Sequence, residues 1–451
     1  MGSLRSLFRR FLPPLLRRRG LGRGGLVLSA STSLNGLPQF FRIKQIFDAP
    51  SLNDAAEATR MALARLPPNQ FIRPGMTVAV GAGSRGISNY DIIVRTVCEE
   101  LKRLGANVFI VPAMGSHGGA TDAGQLDVLS HYGITEQAMG VSIKSSMEVV
   151  ELGRAGEFHV YQDRNAAGAD AIVLVNRVKP HTDFHGLIES GLMKMAAIGL
   201  GKQRGAHQFH QATVRLGHAD ALLTIGREVL RLSNIAFGVA IIENQLHQTA
   251  RIAAVPAVTI EQEEMKLLEE ARRLMPRLPF DDVDLLIVDE MGKNLSGAGL
   301  DTNVIRRDAD GSFIKPGLNA PRRIYVRSLH PYSYGNAVGL GMADFIHERL
   351  LRAMDPKATW VNAITALMPA NARVPMHFPT DREALDTALQ TLGRADPQST
   401  RVLWIKNTLS CETMLASEAY MDEARQRFDL VPQSDPAPPA FDTAGDLVPV
   451  L

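Results

Sequence analysis

The sequence has few cysteines and tryptophans and contains no long uninterrupted apolar run. Its 451 residues include two cysteines, Cys98 and Cys411, and two tryptophans. Two thiols exclude a disulfide scaffold and a thiolate-rich zinc or iron–sulfur site. No apolar run reaches the roughly 18 residues of a membrane-spanning helix, so we predict no membrane span. Apolar residues make up 45% and charged residues 21% of the chain, which is ordinary for a globular protein of two or three domains.

Acidic residues are absent from the first 47 positions, which contain eight arginines and one lysine. This segment carries +9, so the remainder, with 40 basic and 47 acidic side chains, carries −7. We predict no nucleic-acid partner, because the body is acidic and lacks a basic–aromatic stripe. Residues 1–47 are interpreted as a basic, disordered leader, with a transit peptide or a twin-arginine export signal as the alternatives. The predicted location is cytoplasmic, or organellar or exported if the leader is a targeting peptide.

Apolar runs of strand length alternate with stretches of helical period along the rest of the chain. Thr77–Val80, Asn107–Val111 and Ala171–Val175 read as buried strands, and Asp91–Leu104 reads as a helix that stops before Gly105. This alternation predicts an α/β fold with mainly parallel sheets. Further strands are predicted at Asn234–Ile242, Ala250–Val255, Val283–Val288, Arg323–Val326 and Val402–Ile405, and further helices at Thr121–Ser130, Val258–Leu278, Ala343–Met354 and Asp381–Leu392.

These elements are expected to form two α/β domains with the active site in the cleft between them. Residues 48–260 are assigned to an N-terminal cofactor-binding and catalytic domain, and residues 261–282 to a linker helix. Residues 283–425 are assigned to a C-terminal α/β domain. Residues 426–451, which are rich in proline and aspartate, are expected to form a loose tail.

The first predicted strand is followed by a glycine-rich turn, Gly81–Gly86, of the form G-x-G-x-x-G. Such a turn lets a phosphate approach the backbone at the start of a helix. A dinucleotide site also needs an acidic residue at the end of the next strand, and Val111–Met114 contains none. We therefore interpret Gly83, Ser84 and Arg85 as a phosphate-binding turn, with a structural tight turn as the alternative.

Two further strand ends are followed by histidines, and the carboxyl ends of parallel strands share one edge of a sheet. His117 lies between glycines in the loop after Asn107–Val111, where it is either an accessible acid/base or a structural loop histidine. The segment after Ala171–Val175 concentrates side chains that suit proton transfer, metal binding and covalent attachment. These are His181, His185, His207 and His210, with Lys179, Lys194, Lys202 and Arg204. Together they indicate a phosphorylated cofactor, histidine acid/base chemistry and one metal, without naming a reaction.

The order of these elements resembles the nickel-dependent lactate racemases and the wider group of 2-hydroxyacid racemases and epimerases. The resemblance covers about residues 75–300. It is carried by Ser84-Arg85, the Gly-x-His loop at His117, Pro180-His181, Lys194, and His210 sixteen residues further on.

The resemblance implies a nickel-pincer nucleotide, a pyridinium mononucleotide whose sulfur groups hold nickel and which is linked covalently to a lysine. Lys194 looks like that lysine, and His210 looks like the nickel ligand of the protein. His117 and His181 look like paired acid/base catalysts on opposite faces of a small 2-hydroxyacid. In the implied reaction, hydride leaves Cα and returns to the other face while the histidines move the hydroxyl proton. Cofactor-biosynthesis enzymes are the implied partners.

The sequence also departs from the pattern of this family. Ala82 stands where the family has an acidic residue, and the stretch between His181 and Lys194 is longer than in the lactate enzymes. His207 is an alternative nickel ligand. In the C-terminal half, Lys293 is the candidate to bind the substrate carboxylate. These departures leave open which hydroxyacid is the substrate.

Two other functions are compatible with the residues. The pairs His181/His185 and His207/His210 would suit a zinc-dependent hydrolase if Asp183 or Glu189 supplied a carboxylate base. A non-enzymatic nucleotide-binding module is the other alternative.

Overall fold

The structure is a computed structural model that describes residues 36–84, 86–310, 319–393 and 396–449. Helices cover two large, mainly parallel sheets, which confirms the predicted α/β class. The strands are β1 (Phe40–Gln45), β2 (Thr77–Ala82), β3 (Asn107–Pro112), β4 (Ser142–Ile143), β5 (Val149–Ala155), β6 (Phe158–Asp163), β7 (Ala171–Arg177), β8 (Ile235–Glu243), β9 (Thr249–Pro256), β10 (Leu285–Met291), β11 (Arg323–Leu329), β12 (Phe345–His347), β13 (Met376–Phe378), β14 (Val402–Ile405), β15 (Thr413–Ser417) and β16 (Leu430–Pro432).

The helices include several of only one turn. They are α1 (Ala55–Arg65), α2 (Tyr90–Arg103), α3 (Asp122–His131), α4 (Glu136–Met139), α5 (Arg164–Ala167), α6 (Leu192–Lys194), α7 (Lys202–Leu216), α8 (His218–Leu232), α9 (Ile260–Arg273), α10 (Thr302–Ile305), α11 (Glu348–Ala353), α12 (Pro356–Thr365), α13 (Asp381–Gln390) and α14 (Met421–Gln426). No helix in the described ranges is both long and apolar enough to cross a bilayer.

The first large sheet has six strands in the order β4-β3-β2-β7-β8-β9. Its pairs are parallel except for β8 with β9, which is antiparallel. The alternate residues Ile172 and Leu174 of β7 belong to one apolar core, and Val173 and Val175 belong to the core on the other face. The apolar run in β7 is continuous because helices cover both faces of this sheet. The carboxyl ends of β2, β3 and β7 consequently lie side by side at one edge.

The second large sheet has eight strands in the order β13-β12-β11-β10-β14-β15-β1-β16. The pairs from β13 to β14 are parallel, and the pairs that involve β15, β1 and β16 are antiparallel. A separate two-stranded ribbon is formed by β5 and β6. Lys293 lies in the loop that follows the carboxyl end of β10, which is a parallel strand of this sheet. His117 and His181 occupy the corresponding position after strands of the first sheet.

The segment interpreted as a leader is ordered where the structure describes it. Strand β1, Phe40–Gln45, pairs with β15 on one side and with β16 on the other, and Phe41 and Ile43 are fully buried. The prediction of a disordered leader through residue 47 is wrong for this stretch. Its alternating apolar residues cover the core of the second sheet. The prediction failed because the strand also contains two basic residues and was therefore grouped with the basic segment before it. Residues 1–35, which hold the twin arginines, lie outside the described residues.

The C-terminal tail is also packed against the second sheet. Strand β16 pairs with β1, and the buried Leu447 donates its N–H to Asp381 Oδ2 at 2.8 Å and accepts a hydrogen bond from Arg327 Nη2 at 2.6 Å. The prediction of a loose tail over residues 426–451 is therefore wrong as far as residue 449. The expected helix Ala343–Met354 is also wrong in its first part, because Phe345–His347 is strand β12.

Candidate functional site

A cavity of about 290 Å³ lies at the carboxyl ends of β2, β3 and β7 and is closed on its other side by residues that follow β10. The seven described residues that the sequence analysis favoured for cofactor, metal, proton transfer and substrate line this cavity, whereas the alternative metal ligand His207 does not. The seven are Gly83, Ser84, His117, His181, Lys194, His210 and Lys293. The eighth nominated residue, Arg85, lies outside the described residues.

The turn after β2 and the loop after β3 are joined by a hydrogen bond between Ser84 Oγ and His117 Nδ1. This bond orients the imidazole, and a serine hydroxyl can accept from or donate to that nitrogen. Gly83 was expected to contribute backbone to a phosphate site, but its N–H donates to the hydroxyl of the buried Tyr90 at 2.5 Å. The turn thus supports His117 directly, and a phosphate contact at this turn would need groups other than the N–H of Gly83.

The ring of His181 is held by its own turn. Its Nδ1 accepts a hydrogen bond from the N–H of Asp183 at 3.0 Å, and its ring stacks on Phe184 with centroids 4.5 Å apart. A neutral ring that accepts at Nδ1 carries its proton on Nε2. The Asp183 carboxylate lies 3.7 Å from the same Nδ1 and offers an acceptor when that nitrogen is protonated. Asp183 therefore offers His181 Nδ1 two partners. Its N–H donates when Nδ1 is unprotonated, and its carboxylate can accept when Nδ1 carries a proton.

Glu189 is engaged in structural bonds beneath this turn. It is fully buried and accepts from the N–H of His181 at 2.6 Å and from Arg272 Nη2 at 2.6 Å, and its Oε1 lies 3.3 Å from His185 Nδ1. Burial opposes ionisation, but these hydrogen bonds and the Arg272 charge hold the pKa of Glu189 below its usual range. A carboxylate occupied in this way is poorly suited to act as the base of a zinc hydrolase.

Lys194 ends the short helix α6, which is anchored by a buried carboxylate from α9. Glu264 Oε2 accepts from the N–H of Met193 at 2.9 Å. A Cβ on Gly191 would lie 2.3 Å from Glu264 Oε1, so only glycine allows the carboxylate to approach the start of the helix. Burial raises the pKa of Glu264 from 4.5 to about 7, although the N–H bonds from Met193 and Leu192 lower it.

Glu264→Gln is expected to flatten the dependence of stability on pH. Between pH 4.5 and 7 the folded protein holds a proton on Glu264 that the unfolded chain has lost, so the free energy of unfolding falls as pH rises. The free energy of unfolding is expected to fall by about 3 kcal/mol across this window because of Glu264 alone. Urea unfolding of both proteins at pH 5 to 8 measures this fall. The stability of the variant should increase relative to that of the parent as pH rises. Parallel curves would contradict the assignment, and Glu263→Gln on the exposed side of α9 is the control.

His210 lies on α7 with one nitrogen buried in the protein. Its Nδ1 is buried and has no hydrogen-bond partner among the described residues. Burial lowers the pKa of His210, and the nearby positive charges of His218, Lys194 and His207 lower it further. A neutral imidazole with an unused nitrogen is suited to bind a metal. The alternative ligand, His207, is exposed, is bonded to Gln211 at 3.1 Å, and lines a neighbouring surface cleft instead of the cavity.

His218 also lines the cavity, and sequence reasoning missed it. Its ring stacks on the face of Phe184, with centroids 5.3 Å apart, and Phe184 stacks in turn on His181. Burial lowers the pKa of His218, an effect that Asp183 opposes and Lys194 reinforces. The available signal was a histidine directly after a glycine, Gly217-His218.

Lys293 approaches the cavity from the second sheet and donates from Nζ to Asn362 Oδ1. Burial raises the pKa of Asp183, and the positive charges of Lys194, His218 and Lys293 oppose this rise. Lys194 and Lys293 therefore bring two positive charges near the Asp183 carboxylate, and Asp301 adds a second negative charge to its surroundings. Lys202, which the sequence placed with the cations near this crevice, is instead fully buried and lies 3.2 Å from Asp163 Oδ2.

Three metal-ligating side chains come together in the described ranges at His347, Asp381 and Asp446, and not in the histidine-rich segment. Arg327 and Arg349 contact this cluster at 2.8 to 3.1 Å, so its carboxylates are already compensated by guanidinium groups. Since no such group forms among the described histidines from 181 to 210, the geometry disfavours a zinc site made by protein ligands alone.

No family model and no curated protein matches the chain. Among solved structures, the chain is similar to the lactate racemase apoprotein from Thermoanaerobacterium thermosaccharolyticum, with 13% sequence identity and a TM-score of 0.45. The match covers 82% of this chain and 88% of that chain. Similarity at this level does not transfer a function, so the function has to be inferred from the cavity itself.

Proposed function

We propose that the chain is a racemase or epimerase of a 2-hydroxyacid that uses a nickel-pincer nucleotide. The observation that carries this proposal is the convergence of His117, His181, Lys194 and His210 on one cavity. These residues come from two loops and two helices, and a merely structural role would not require them to share one cavity. Together they offer two proton carriers, an amine and a metal ligand.

The residues present fit such a cofactor. His210 offers a buried Nδ1 with no hydrogen-bond partner among the described residues. No three-ligand protein cluster forms in this segment of the described chain, which agrees with a metal that takes its other ligands from a non-protein group. Lys194, whose charge lowers the pKa of His210, would form the covalent link, and the Ser84 turn would lie near the phosphate.

The cofactor, when bound, would supply the hydride acceptor that no protein side chain provides. The chain itself binds the substrate and moves the hydroxyl proton. Lys293, which lines the cavity from the side of the second sheet, would hold the carboxylate. His117, with Nδ1 bonded to Ser84, can accept the hydroxyl proton at Nε2, while His181 presents a proton on its own Nε2.

Reaction of the opposite enantiomer requires the two histidines to exchange these roles. For His181, Nε2 becomes a base when Nδ1 carries the proton, and that N–H then needs an acceptor. The Asp183 carboxylate, 3.7 Å from Nδ1, is placed to accept it. Asp183 is therefore assigned the role of supporting the basic form of His181.

His210→Ala is expected to abolish nickel binding, because it removes the metal ligand from the cavity. The full chain, produced together with cofactor-biosynthesis enzymes, should contain about one nickel per chain by elemental analysis. His207→Ala is the matched control on the same helix and should retain nickel. Retention by His210→Ala with loss in His207→Ala would reverse the assignment, and zinc in place of nickel would favour the hydrolase.

The reaction is tested by incubating the cofactor-loaded protein with enantiopure lactate and larger 2-hydroxyacids in deuterated water. Chiral chromatography should show inversion of one of them, and mass spectrometry should show little deuterium at Cα, because hydride returns without exchange. Extensive deuterium at Cα would indicate simple deprotonation and overturn the hydride mechanism. Absence of inversion for every acid offered would count against the racemase.

A further inference from the structure

Lys202 is a fully buried lysine placed between the elements that carry the site residues. Its Nζ donates to the carbonyl of Pro112 at 2.6 Å and to Gln125 Oε1 at 2.8 Å, and it lies 3.2 Å from Asp163 Oδ2. Asp163 is itself fully buried and accepts from the N–H of Ala166 at 2.9 Å. Buried charges persist where they are paired and hydrogen-bonded, as both are here.

Gln125 extends this network to the loop of His117. Its side chain is fully buried, and its Nε2 donates to the carbonyls of Gly115 at 2.9 Å and His117 at 3.3 Å. The amide oxygen of Gln125 accepts from Lys202, and its amide nitrogen donates to the two carbonyls. A donor on one side and acceptors on the other fix the orientation of the amide. The network therefore bonds to the backbone of the histidine that the cavity presents.

Lys202 also begins α7, the helix that carries His210. Its φ of +54° is in the left-handed region, which a non-glycine residue adopts only where its surroundings impose it. The preceding turn, Met195–Gly199, has π-helical geometry, and the carbonyl of Gly199 accepts from the N–H of Gly115 at 3.1 Å. The strand end, the His117 loop and the start of α7 thus meet at one lysine.

We propose that Lys202 and Gln125 are positioning residues that hold the His117 loop in register with the helix of His210. The catalytic importance of that register rests on the proposed function. The positioning itself rests on the contacts of the network. Lysine suits this place because its Nζ donates to two acceptors from different segments, Pro112 O and Gln125 Oε1, and the carboxylate of Asp163 compensates its charge.

The test is hydrogen–deuterium exchange of the full chain with Gln125→Met, which keeps the volume and removes both donated hydrogen bonds. We expect amides of residues 114–121 to exchange at least tenfold faster, with exchange elsewhere in the first sheet unchanged. Gln45→Met is the matched control, since Gln45 is a buried glutamine that donates to the carbonyls of Cys411 and Arg277 at 2.5 and 3.0 Å. Unchanged exchange at 114–121, or equal acceleration in the control, would overturn the proposal.

A second variant, Gln125→Glu, covers the case in which the methionine variant does not fold. Its carboxylate can still accept from Lys202 but cannot donate to Gly115 and His117, so the same acceleration is expected. NMR of histidine-labelled protein should show a shifted His117 signal in either variant, and an unshifted signal would count against the proposal. These readouts need no activity, so failure of the racemase and failure of the positioning are distinguishable. If the protein racemises a hydroxyacid, kcat should fall about tenfold with KM unchanged.

Discussion

Lys194→Arg is expected to eliminate the covalent cofactor and with it the racemase activity, by at least about 10³-fold. Arginine retains the positive charge at the end of α6 and its attraction for Asp183, but its guanidinium does not offer the amine that forms the link. The measurement is intact-mass spectrometry of chains produced with the cofactor-biosynthesis enzymes, together with chiral chromatography. The parent chain should carry an adduct and about one nickel, and the variant should carry no adduct.

Lys179→Arg is the control for this experiment. Lys179 lines the neighbouring cavity and lies 3.9 Å from Asp301, so it is a nearby lysine that is not assigned to the covalent link. Its variant should keep the adduct on Lys194. An adduct that persists in Lys194→Arg and disappears in Lys179→Arg would move the attachment to the other lysine, and an unmodified parent chain would contradict the pincer cofactor altogether.

His117→Asn and His181→Asn are each expected to lower kcat for racemisation by about 10²- to 10⁴-fold while nickel content and the Lys194 adduct persist. Asparagine retains polarity and much of the volume but carries no titratable nitrogen, so it removes proton transfer more than it disturbs packing. For His117, the amide can still bond to Ser84. Chiral chromatography and elemental analysis of the same preparations separate chemistry from cofactor loading.

His131→Asn provides a matched control outside the cavity, because His131 is an exposed histidine at the end of α3. It should leave kcat unchanged. Full activity in His117→Asn or in His181→Asn would refute the acid/base role of that histidine. Loss of nickel in either variant would instead assign that histidine to the support of the cofactor.

The convergence of the candidate residues on one cavity was largely predictable from the sequence. The strands that end before Ser84, His117 and His181 were recognisable as apolar runs, and parallel strands bring their carboxyl ends to one edge. A glycine-flanked histidine at such an end is therefore expected to be accessible. This reasoning brought His117 and His181 together without knowledge of any tertiary contact.

Other features depended on contacts between residues far apart in the chain. Strand β1 was missed because its segment was interpreted from its positive charge. Its alternating apolar residues form a strand because β15 and β16 pair with it on both sides. Glu264 looked like one more charged residue of an amphipathic helix, although its carboxylate anchors α6. His218 lines the cavity because the tertiary structure brings the first residue of α8 there.

The sequence by itself determined the α/β class and the set of strand ends where the histidines and lysines are concentrated, because those follow from local apolar period and glycine placement. Only the tertiary structure decided which charges face the cavity and which are buried behind it. Lys194 and Lys202 are eight residues apart and chemically identical, yet one lines the cavity and the other is enclosed by Asp163, Gln125 and the Pro112 carbonyl. That difference arises from a left-handed backbone turn and from partners distant in sequence, which no local pattern encodes.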